Sequence, residues 1–448
     1  MKNIVVIHLE SLSNLIYQMN RQMFPNINKF RKRCMNYSYY FSTATSTAMT
    51  MSDITYGDFY RIENTERFGE FKVTHKKAQS FVDRLTDEGY HSMGVHYPTA
   101  IGDDINPGHM YAQKTDLMNY ANYDKAIEDV KKTIDGAVES DSPFLIYFCN
   151  EVSHICYADY RKNQIKDPTE RWRYGYKKVD DTVGDIVGYL EEKQLLDDTV
   201  VVLYGDHGDD YYCHDYNGGY VHVIEPYINL IHTPLMIYDK SLGSGKVDDI
   251  ICALDIKQVI YNLIGEKTVE TNPYIYDRYR SKRKYVFSKN LYAGQVPKKI
   301  DACISNVRKS YAITTKQYSL ILTDQGYRMY LNVKDPTCNS NVLDFFYMLG
   351  NKVYHIMDIK YLHNHYKNYI GFGSIEVIQQ NFTKLSKLMK MEMTKLEDET
   401  GIKGIIDYRG YHKIFYTKNM FYMFFKLRAK GVRRKIKNLL PQNPQKDK

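Results

Sequence analysis

Positions 199–210 read Thr-Val-Val-Val-Leu-Tyr-Gly-Asp-His-Gly-Asp-Asp. Val200 to Tyr204 is a short apolar run without alternation, which predicts a strand buried on both faces, as in a parallel sheet covered by helices. Gly205 lets the chain turn, and Asp206 and His207 follow at once. A carboxylate beside an imidazole at a strand's end is a donor pair for a divalent ion such as Zn²⁺ or Mn²⁺. A single Asp-His pair is more often a capped polar turn with a solvated histidine. The number of other strands that end in the same way decides between these readings.

Taken in order, the chain alternates strands and helices. A first apolar strand over 4–9 ends in Glu10-Ser11, and a polar, Tyr-rich loop follows. A helix then starts near Ser46, with hydroxyl residues at its cap and Gly57 at its end. A helix over 78–88 leads into a strand over 91–95 that ends at His96. Ile127, Val130, Ile134 and Val138 fall at helical spacing, and a strand over 143–149 then runs into Asn150-Glu151-Val152-Ser153-His154. Val179, Val183, Ile186 and Leu190 line the helix before the Asp206 strand. Beyond a loop with His214, His222 and His232 come a strand over 234–238 and a helix over 253–264 closed by Gly265.

This order predicts an α/β fold whose mostly parallel central sheet carries helices on both faces. In such sheets ligands bind outside the carboxyl ends of the strands. Glu10, His96, His154 and Asp206-His207 all fall just past a predicted strand end, so metal-competent groups converge on one rim. From 282 to 331 the pattern changes to short strands with turns, a small antiparallel sheet, followed by a long helix over 375–399. The expected organisation is a catalytic core over 1–266, a small antiparallel subdomain over 267–345 and a helical extension over 346–448.

Composition narrows the setting. The chain has 448 residues, 43% of them hydrophobic, enough for a large core. It has no apolar run long enough to span a bilayer, and Met1 leads almost directly into the first strand, so a cytoplasmic protein is expected. Seven scattered cysteines without a C-x-x-C fit reduced thiols. The formal charge of +8 is concentrated at the end: from Tyr408 onward twelve Lys/Arg face one acid, Asp447, so the rest is slightly acidic. Residues 426–440 hold seven basic residues and no acid, with Val432, Ile436, Leu439 and Leu440 at helical spacing behind the aromatic run 420–425. A basic amphipathic tail suits an anionic membrane surface. The expectation is peripheral attachment to the inner face of the cytoplasmic membrane. No nucleic-acid module is present in the sequence pattern, so no nucleic acid partner is expected.

A helix N-terminus concentrates positive partial charge, which favours a partly ionised hydroxyl there, and Thr47 occupies that place beside Ser46. On this segment alone, simple capping is the better reading. The surrounding residues add a resemblance. Thr45-Ser-Thr-Ala-Met-Thr-Met-Ser52 resembles the nucleophile segment of the phosphoethanolamine transferases, with Thr47 at the attacking threonine. Leu9-Glu10-Ser11 resembles the metal-binding start of the lipoteichoic acid synthase type of phosphoglycerol transferase. Tyr204-Gly-Asp-His-Gly-Asp209 resembles the Asp-His-Gly-Glu motif of the sulfatase/alkaline phosphatase superfamily, with Asp209 replacing the glutamate. Val152-Ser-His154, Tyr220-Val-His222 and Ile231-His-Thr-Pro-Leu235 are similar to later histidine segments of the transferases, and His96 falls where a substrate-binding histidine is placed. Tyr330 to Pro336 with Asn341-Val-Leu343 resembles the sulfatase C-terminal signature. No Cys-x-Pro-x-Arg or Ser-x-Pro-x-Arg surrounds position 47, which speaks against a formylglycine sulfatase, and a Trp and Arg expected after His96 are replaced by Asp103 and Ile105.

The resemblance implies an alkaline phosphatase/sulfatase-like fold and a divalent ion, Zn or Mn, held by Glu10, Thr47, Asp206 and His207. His96, His154 and His222 would bind a second metal or the substrate. Thr47 would be the catalytic nucleophile of a phosphotransferase, taking a phosphoethanolamine or phosphoglycerol type group from a phosphodiester or phospholipid donor to a glycan or lipid-linked glycan acceptor. Two alternatives stand beside it: a phosphodiesterase with the same site, and a catalytically degenerate glycan- or lipid-binding member.

Overall fold

The computed structural model describes residues 1–59, 61–62, 73–74, 79–98, 111–112, 114–115, 117–154, 165–210, 213–214, 222–266, 272–291, 309–323, 326–343 and 375–400. The basic tail, Asp103, Ile105 and Tyr220-Val221 lie outside them. Eight strands form the central sheet: β1 (Asn3–Leu9), β2 (Met35–Phe41), β3 (His91–Tyr97), β4 (Leu117–Asn119), β5 (Phe144–Asn150), β6 (Thr199–Gly205), β7 (Leu235–Tyr238) and β8 (Gly245–Cys252). Their spatial order is β8-β2-β7-β6-β1-β5-β3-β4. All neighbours are parallel except β7, which runs against both β6 and β2.

Period-two alternation in β1 sends its residues into two different cores. Val5, Ile7 and Leu9 join Ile146, Phe148, Val201 and Leu203 under Val130 and Ile134 of one helix (Tyr123–Glu139) and Val179, Val183 and Leu190 of another (Pro168–Glu192). Ile4 and Val6 join Leu145, Val200 and Val202 under α1 (Thr47–Tyr56), α2 (Phe81–Asp87) and α3 (Ile256–Ile264). Helices therefore cover both faces, as the unbroken apolar run of β6 requires.

Three strands of the central sheet, β2, β4 and β8, were not expected. The Tyr-rich segment read as loop contains two short helices, Asn14–Met19 and Pro25–Arg31, and then β2. Amphipathic tyrosines hide the alternation there, since Tyr37 and Tyr40 are buried while Tyr39 is only partly so. In β8, Asp248 and Asp249 interrupt the apolar pattern because the register against β2 slips between Val247 and Ile250. His96 also lies inside β3, one residue before its end, rather than beyond it.

A second sheet, an antiparallel meander of Val286–Asn290, Ser310–Thr314, Tyr318–Thr323 and Gly326–Leu331, is covered by the long helix Ile375–Thr400. Ile378, Phe382, Leu385, Met389, Met393 and Leu396 form that helix's buried stripe. The meander is stitched to the chain just ahead of Thr47: the Lys289 amide donates to the Thr43 carbonyl at 2.9 Å, and the Ser288 hydroxyl to the Ser42 carbonyl at 2.7 Å. Lys289 also forms a buried ion pair with Asp53 of α1 at 2.7 Å. No helix among the described residues is long and apolar enough to cross a membrane.

Candidate metal centre

On the α1 face the upper end of the sheet turns polar. His8 is in register with Tyr204 on one side and Cys149 on the other, Cys149 with His96, and His96 with Asn119. Residues in register on parallel strands share a face, so these five form a polar row across β6, β1, β5, β3 and β4. Two residues further on, past the strand ends, come Asp206, Glu10 and Glu151, all buried. The Asp206 loop is held down by close backbone approaches. A Cβ on Gly205 would stand 2.6 Å from the Leu12 carbonyl, and one on Gly208 would stand 2.4 Å from that of Asn229. Glycine is required at both positions of the motif.

Five donor atoms meet above the row. The Glu10 carboxylate accepts from the Thr47 hydroxyl at 3.1 Å and, through its other oxygen, from Ser11 Oγ at 2.7 Å. Thr47 Oγ1 is 3.2 Å from His207 Nε2, which is 3.0 Å from Asp206 Oδ2. His8 Nε2 lies 3.1 Å from Asp206 Oδ2 and 3.3 Å from Glu10 Oε2. The other Asp206 oxygen accepts from the Ser11 amide at 3.0 Å. His207 Nδ1 stands 3.1 Å from the Gly208 carbonyl, a contact that places the proton on Nδ1 and leaves the Nε2 lone pair facing the cluster.

The electrostatics call for a cation. Burial, with Asp206 nearby, pushes the Glu10 carboxyl up to about 7. Burial pulls His207 down to about 4, so its ring is neutral. Burial would likewise raise Asp206, but the histidines beside it outweigh that and hold the carboxylate well below its usual range. His8 Nε2 and Asp206 Oδ2 are buried and make no hydrogen bond although they stand 3.1 Å apart. Despite burial, Asp206 beside it raises the affinity of the His8 ring for a proton, and two carboxylates, two imidazoles and a hydroxyl around one buried point fit a divalent transition ion that would take that proton's place.

Thr47 is the first residue of α1, and Ser46 is its N-cap by backbone geometry. The capping expected of the hydroxyl residues is absent, because Ser46 makes no side-chain cap hydrogen bond. The first-turn N–H groups are thus left unsatisfied by that side chain at the Thr47 end of the helix, where anions are favoured.

The three further histidines divide into two groups. His222 stacks on His207 with ring centroids 4.2 Å apart, and its Nε2 is 3.3 Å from that of His154. Asp209, the residue in place of the motif's glutamate, holds His222 Nδ1 at 3.0 Å. Burial works against a charge on His222, but Asp209 more than offsets it and raises the ring's affinity for a proton; burial and the adjacent His222 push His154 down to about 3. His207, Asp209 and His222 form a second group of possible donors. His96 sits across the row, its Nε2 3.2 Å from Glu151 Oε2 and its Nδ1 2.9 Å from Asn119 Oδ1. Cys149 links it to the centre, with Sγ 3.2 Å from His8 Nδ1 and 3.7 Å from Glu151 Oε1. Despite burial, Glu151 keeps His96 above the usual imidazole range.

All seven residues singled out in the sequence therefore lie in or beside one cluster. His8, Glu151 and Asp209 were missed as site residues. A signal for His8 was present: two residues before Glu10 in a strand, it must share Glu10's face.

The sulfatase family pattern matches residues 2–265. No curated protein matches the chain. Among solved structures, BT1596, a 2-O GAG sulfatase, aligns at 14% identity with a TM-score of 0.56, covering 83% of this chain and 94% of its own. The PsFucS1 sulfatase from Pseudoalteromonas sp. aligns at 14% identity and TM-score 0.52, over 82% and 91% of the two chains. The lipoteichoic acid synthase LtaP from Listeria monocytogenes aligns at 15% identity and TM-score 0.50, over 75% and 88%. With its superfamily fold and a family match over more than half its length, the chain belongs to the sulfatase family.

Proposed function

We propose that this chain is a metal-dependent phosphotransferase with Thr47 as nucleophile. The observation that carries the reading is the Thr47 hydroxyl at a helix N-terminus, 3.1 Å from Glu10 Oε2 and 3.2 Å from His207 Nε2. Glu10, Thr47, Asp206 and His207 would hold the ion, Zn or Mn. Such an ion would acidify the hydroxyl and offset charge on the phosphoryl oxygens. With its proton given up to solvent, Thr47 Oγ1 bonds to phosphorus as the donor's P–O bond breaks, and the departing oxygen takes up a proton from the protein. An acceptor hydroxyl then gives its proton to the group that protonated the first leaving oxygen and forms its own bond to phosphorus, and Thr47 leaves as the alkoxide it was before attack. His222, which Asp209 favours in its protonated form, is a group able to supply the first proton. His154 and His96 would hold the phosphate or its head group.

The donor class is a phosphodiester or phospholipid, and the acceptor a glycan or lipid-linked glycan. That the same fold carries a lipoteichoic acid synthase supports transfer. The polar wall around Thr47 equally suits water as acceptor, which gives a phosphodiesterase. A chromogenic phosphodiester, turned over with and without candidate sugars, separates the two. In either case mass spectrometry of the exposed protein should find a modified Thr47, and an active Thr47→Ala protein would sink the mechanism. Sulfate-ester turnover exceeding phosphodiester turnover would overturn the choice of phosphate.

The basic tail over 426–440 is proposed to bring the protein to the anionic inner face of the cytoplasmic membrane, where each Lys or Arg adds about 1 kcal/mol. Full-length protein should sediment with anionic vesicles at low salt, and a chain ending at Tyr416 should not. Full-length protein that ignores such vesicles refutes this attachment.

A further inference from the structure

We propose that His8 is a fifth protein ligand of the metal, entering the centre from the sheet beneath it. The proposal rests on the metal reading above and assigns a donor that the superfamily motifs do not contain. Five donor atoms form a closed ring in which each stands 3.0–3.3 Å from the next: Asp206 Oδ2, His207 Nε2, Thr47 Oγ1, Glu10 Oε2 and His8 Nε2. Ligands bound at about 2.0–2.2 Å to one ion necessarily stand roughly 3 Å apart, so the ring has the dimensions of one coordination shell. His8 closes that ring; without it the Asp206 and Glu10 oxygens are joined on one side only.

The alternative is that His8 merely hydrogen-bonds the two carboxylates from behind. Its surroundings argue against this. His8 Nε2 and Asp206 Oδ2 are both buried and 3.1 Å apart, a contact as short as those between the other donors of the ring and without the alignment of a regular hydrogen bond. On the other side of the ring, Nδ1 is 3.2 Å from Cys149 Sγ, and the Cys149 thiol is placed to donate to Glu151 Oε1 at 3.7 Å. A thiol that donates to Glu151 is left to accept from His8 Nδ1–H, and the Nε2 lone pair then faces the metal. The ring is fixed in this orientation by stacking on Tyr204, at 5.5 Å and 11°. Cys149 and Tyr204 become positioning residues for a ligand, the outer partners that set an imidazole's orientation. Two imidazoles in the donor set favour Zn²⁺ over Mg²⁺ or Ca²⁺, which prefer oxygen.

The full chain, stripped of metal and loaded with one equivalent of Zn²⁺, tests this by X-ray absorption, which counts coordinated imidazoles without any assay of turnover. Two are expected in the wild type and in His222→Ala, and one in His8→Gln. The His8→Gln protein should also bind Zn²⁺ at least tenfold more weakly in chelator competition. Gln keeps an N–H for the carboxylates, so a merely positioning His8 would be rescued by it. An unchanged imidazole count in His8→Gln, or loss of one in His222→Ala, overturns the proposal. Should His8→Gln fail to fold, a wild-type count of one overturns it, and a count of two retained in His222→Ala upholds it. A chain that binds no Zn²⁺ sinks both this inference and the metal reading; a single imidazole sinks this inference alone.

Discussion

The two faces of β1 carry the same strand into opposite tasks. On one, Val5, Ile7 and Leu9 continue an apolar surface to the strand's end beneath two long helices. On the other, Ile4 and Val6 are equally apolar, but His8 and Glu10 above them are polar and fully buried. Tyr147 and Tyr204 mark the changeover, their hydroxyls paired at 2.5 Å. The polar cluster is confined to the top of one face, while the other face and the lower rows supply the packing energy that holds its buried carboxylates in place. Changes on the polar rows should therefore alter turnover and metal content, and changes on the apolar face should alter stability.

The largest effect is expected at Thr47. Thr47→Ala should lower phosphodiester turnover by about a thousandfold or more, the scale on which covalent catalysis fails without its nucleophile, with little change in thermal midpoint. A midpoint drop matching a core substitution would show that Thr47 acts in packing and would blur the division between faces.

Ile146→Ala is the counterpart. Ile146 is fully buried on the apolar face and paired in register with Val5. Truncation leaves a cavity and should destabilise the fold by about 3 kcal/mol in denaturant unfolding. Zn²⁺ stoichiometry should be unchanged. Lost metal at a temperature where the variant is still folded would mean that the apolar face also sets the donor geometry.

Metal loading should couple the two faces from the other direction. Glu10 and Asp206 both stand within 3.3 Å of His8 Nε2, so their carboxylates share one buried point. An ion that binds the folded state alone, at a hundredfold excess over its dissociation constant, should stabilise it by about 2.7 kcal/mol. Chelation should remove that gain from the wild type and have no effect on Asp206→Asn. Equal stabilisation of both proteins would place the ion elsewhere.

Most of this was legible in the sequence because it rests on period and on strand ends. The apolar run of β6, the Gly205-Asp206-His207 turn and the Glu10 end of β1 each predict their own position, and one parallel sheet is enough to bring them together. Helix α1 ends at Gly57 with φ 69° as its terminal glycine predicts. What escaped reading depended on contacts between distant segments. Tyr-rich β2 is a strand because it pairs with β8 on one side and β7 on the other, and Asp-interrupted β8 because it pairs with β2. Glu151 and Asp209 look like ordinary loop acids until His96 and His222 arrive from elsewhere in the chain. His8 was hidden in an apolar run.

The smallest effect separates acid lability of the fold from that of the centre. His232 lies just ahead of β7, with Nε2 2.9 Å from the Ser38 carbonyl and its ring 5.1 Å from that of Phe41. Burial pushes it down to about 4, against about 6.5 for an unfolded histidine. Between those values the unfolded chain binds a proton that the folded chain refuses. The stabilisation is therefore complete above pH 6.5, shrinks as the pH falls, and is gone below about 4. Its ceiling is about 3 kcal/mol, and a partly exposed ring should show about 2 kcal/mol of it. His207 and His154 are shifted in the same direction, so the wild-type profile alone mixes the centre with the fold. His232→Gln retains a donor for Ser38 but cannot titrate. In chelator, the loss of unfolding free energy from pH 8 to pH 5 should be smaller in His232→Gln than in the wild type by most of that amount. Parallel profiles would put the acid lability entirely on the polar face, at His207 and His154.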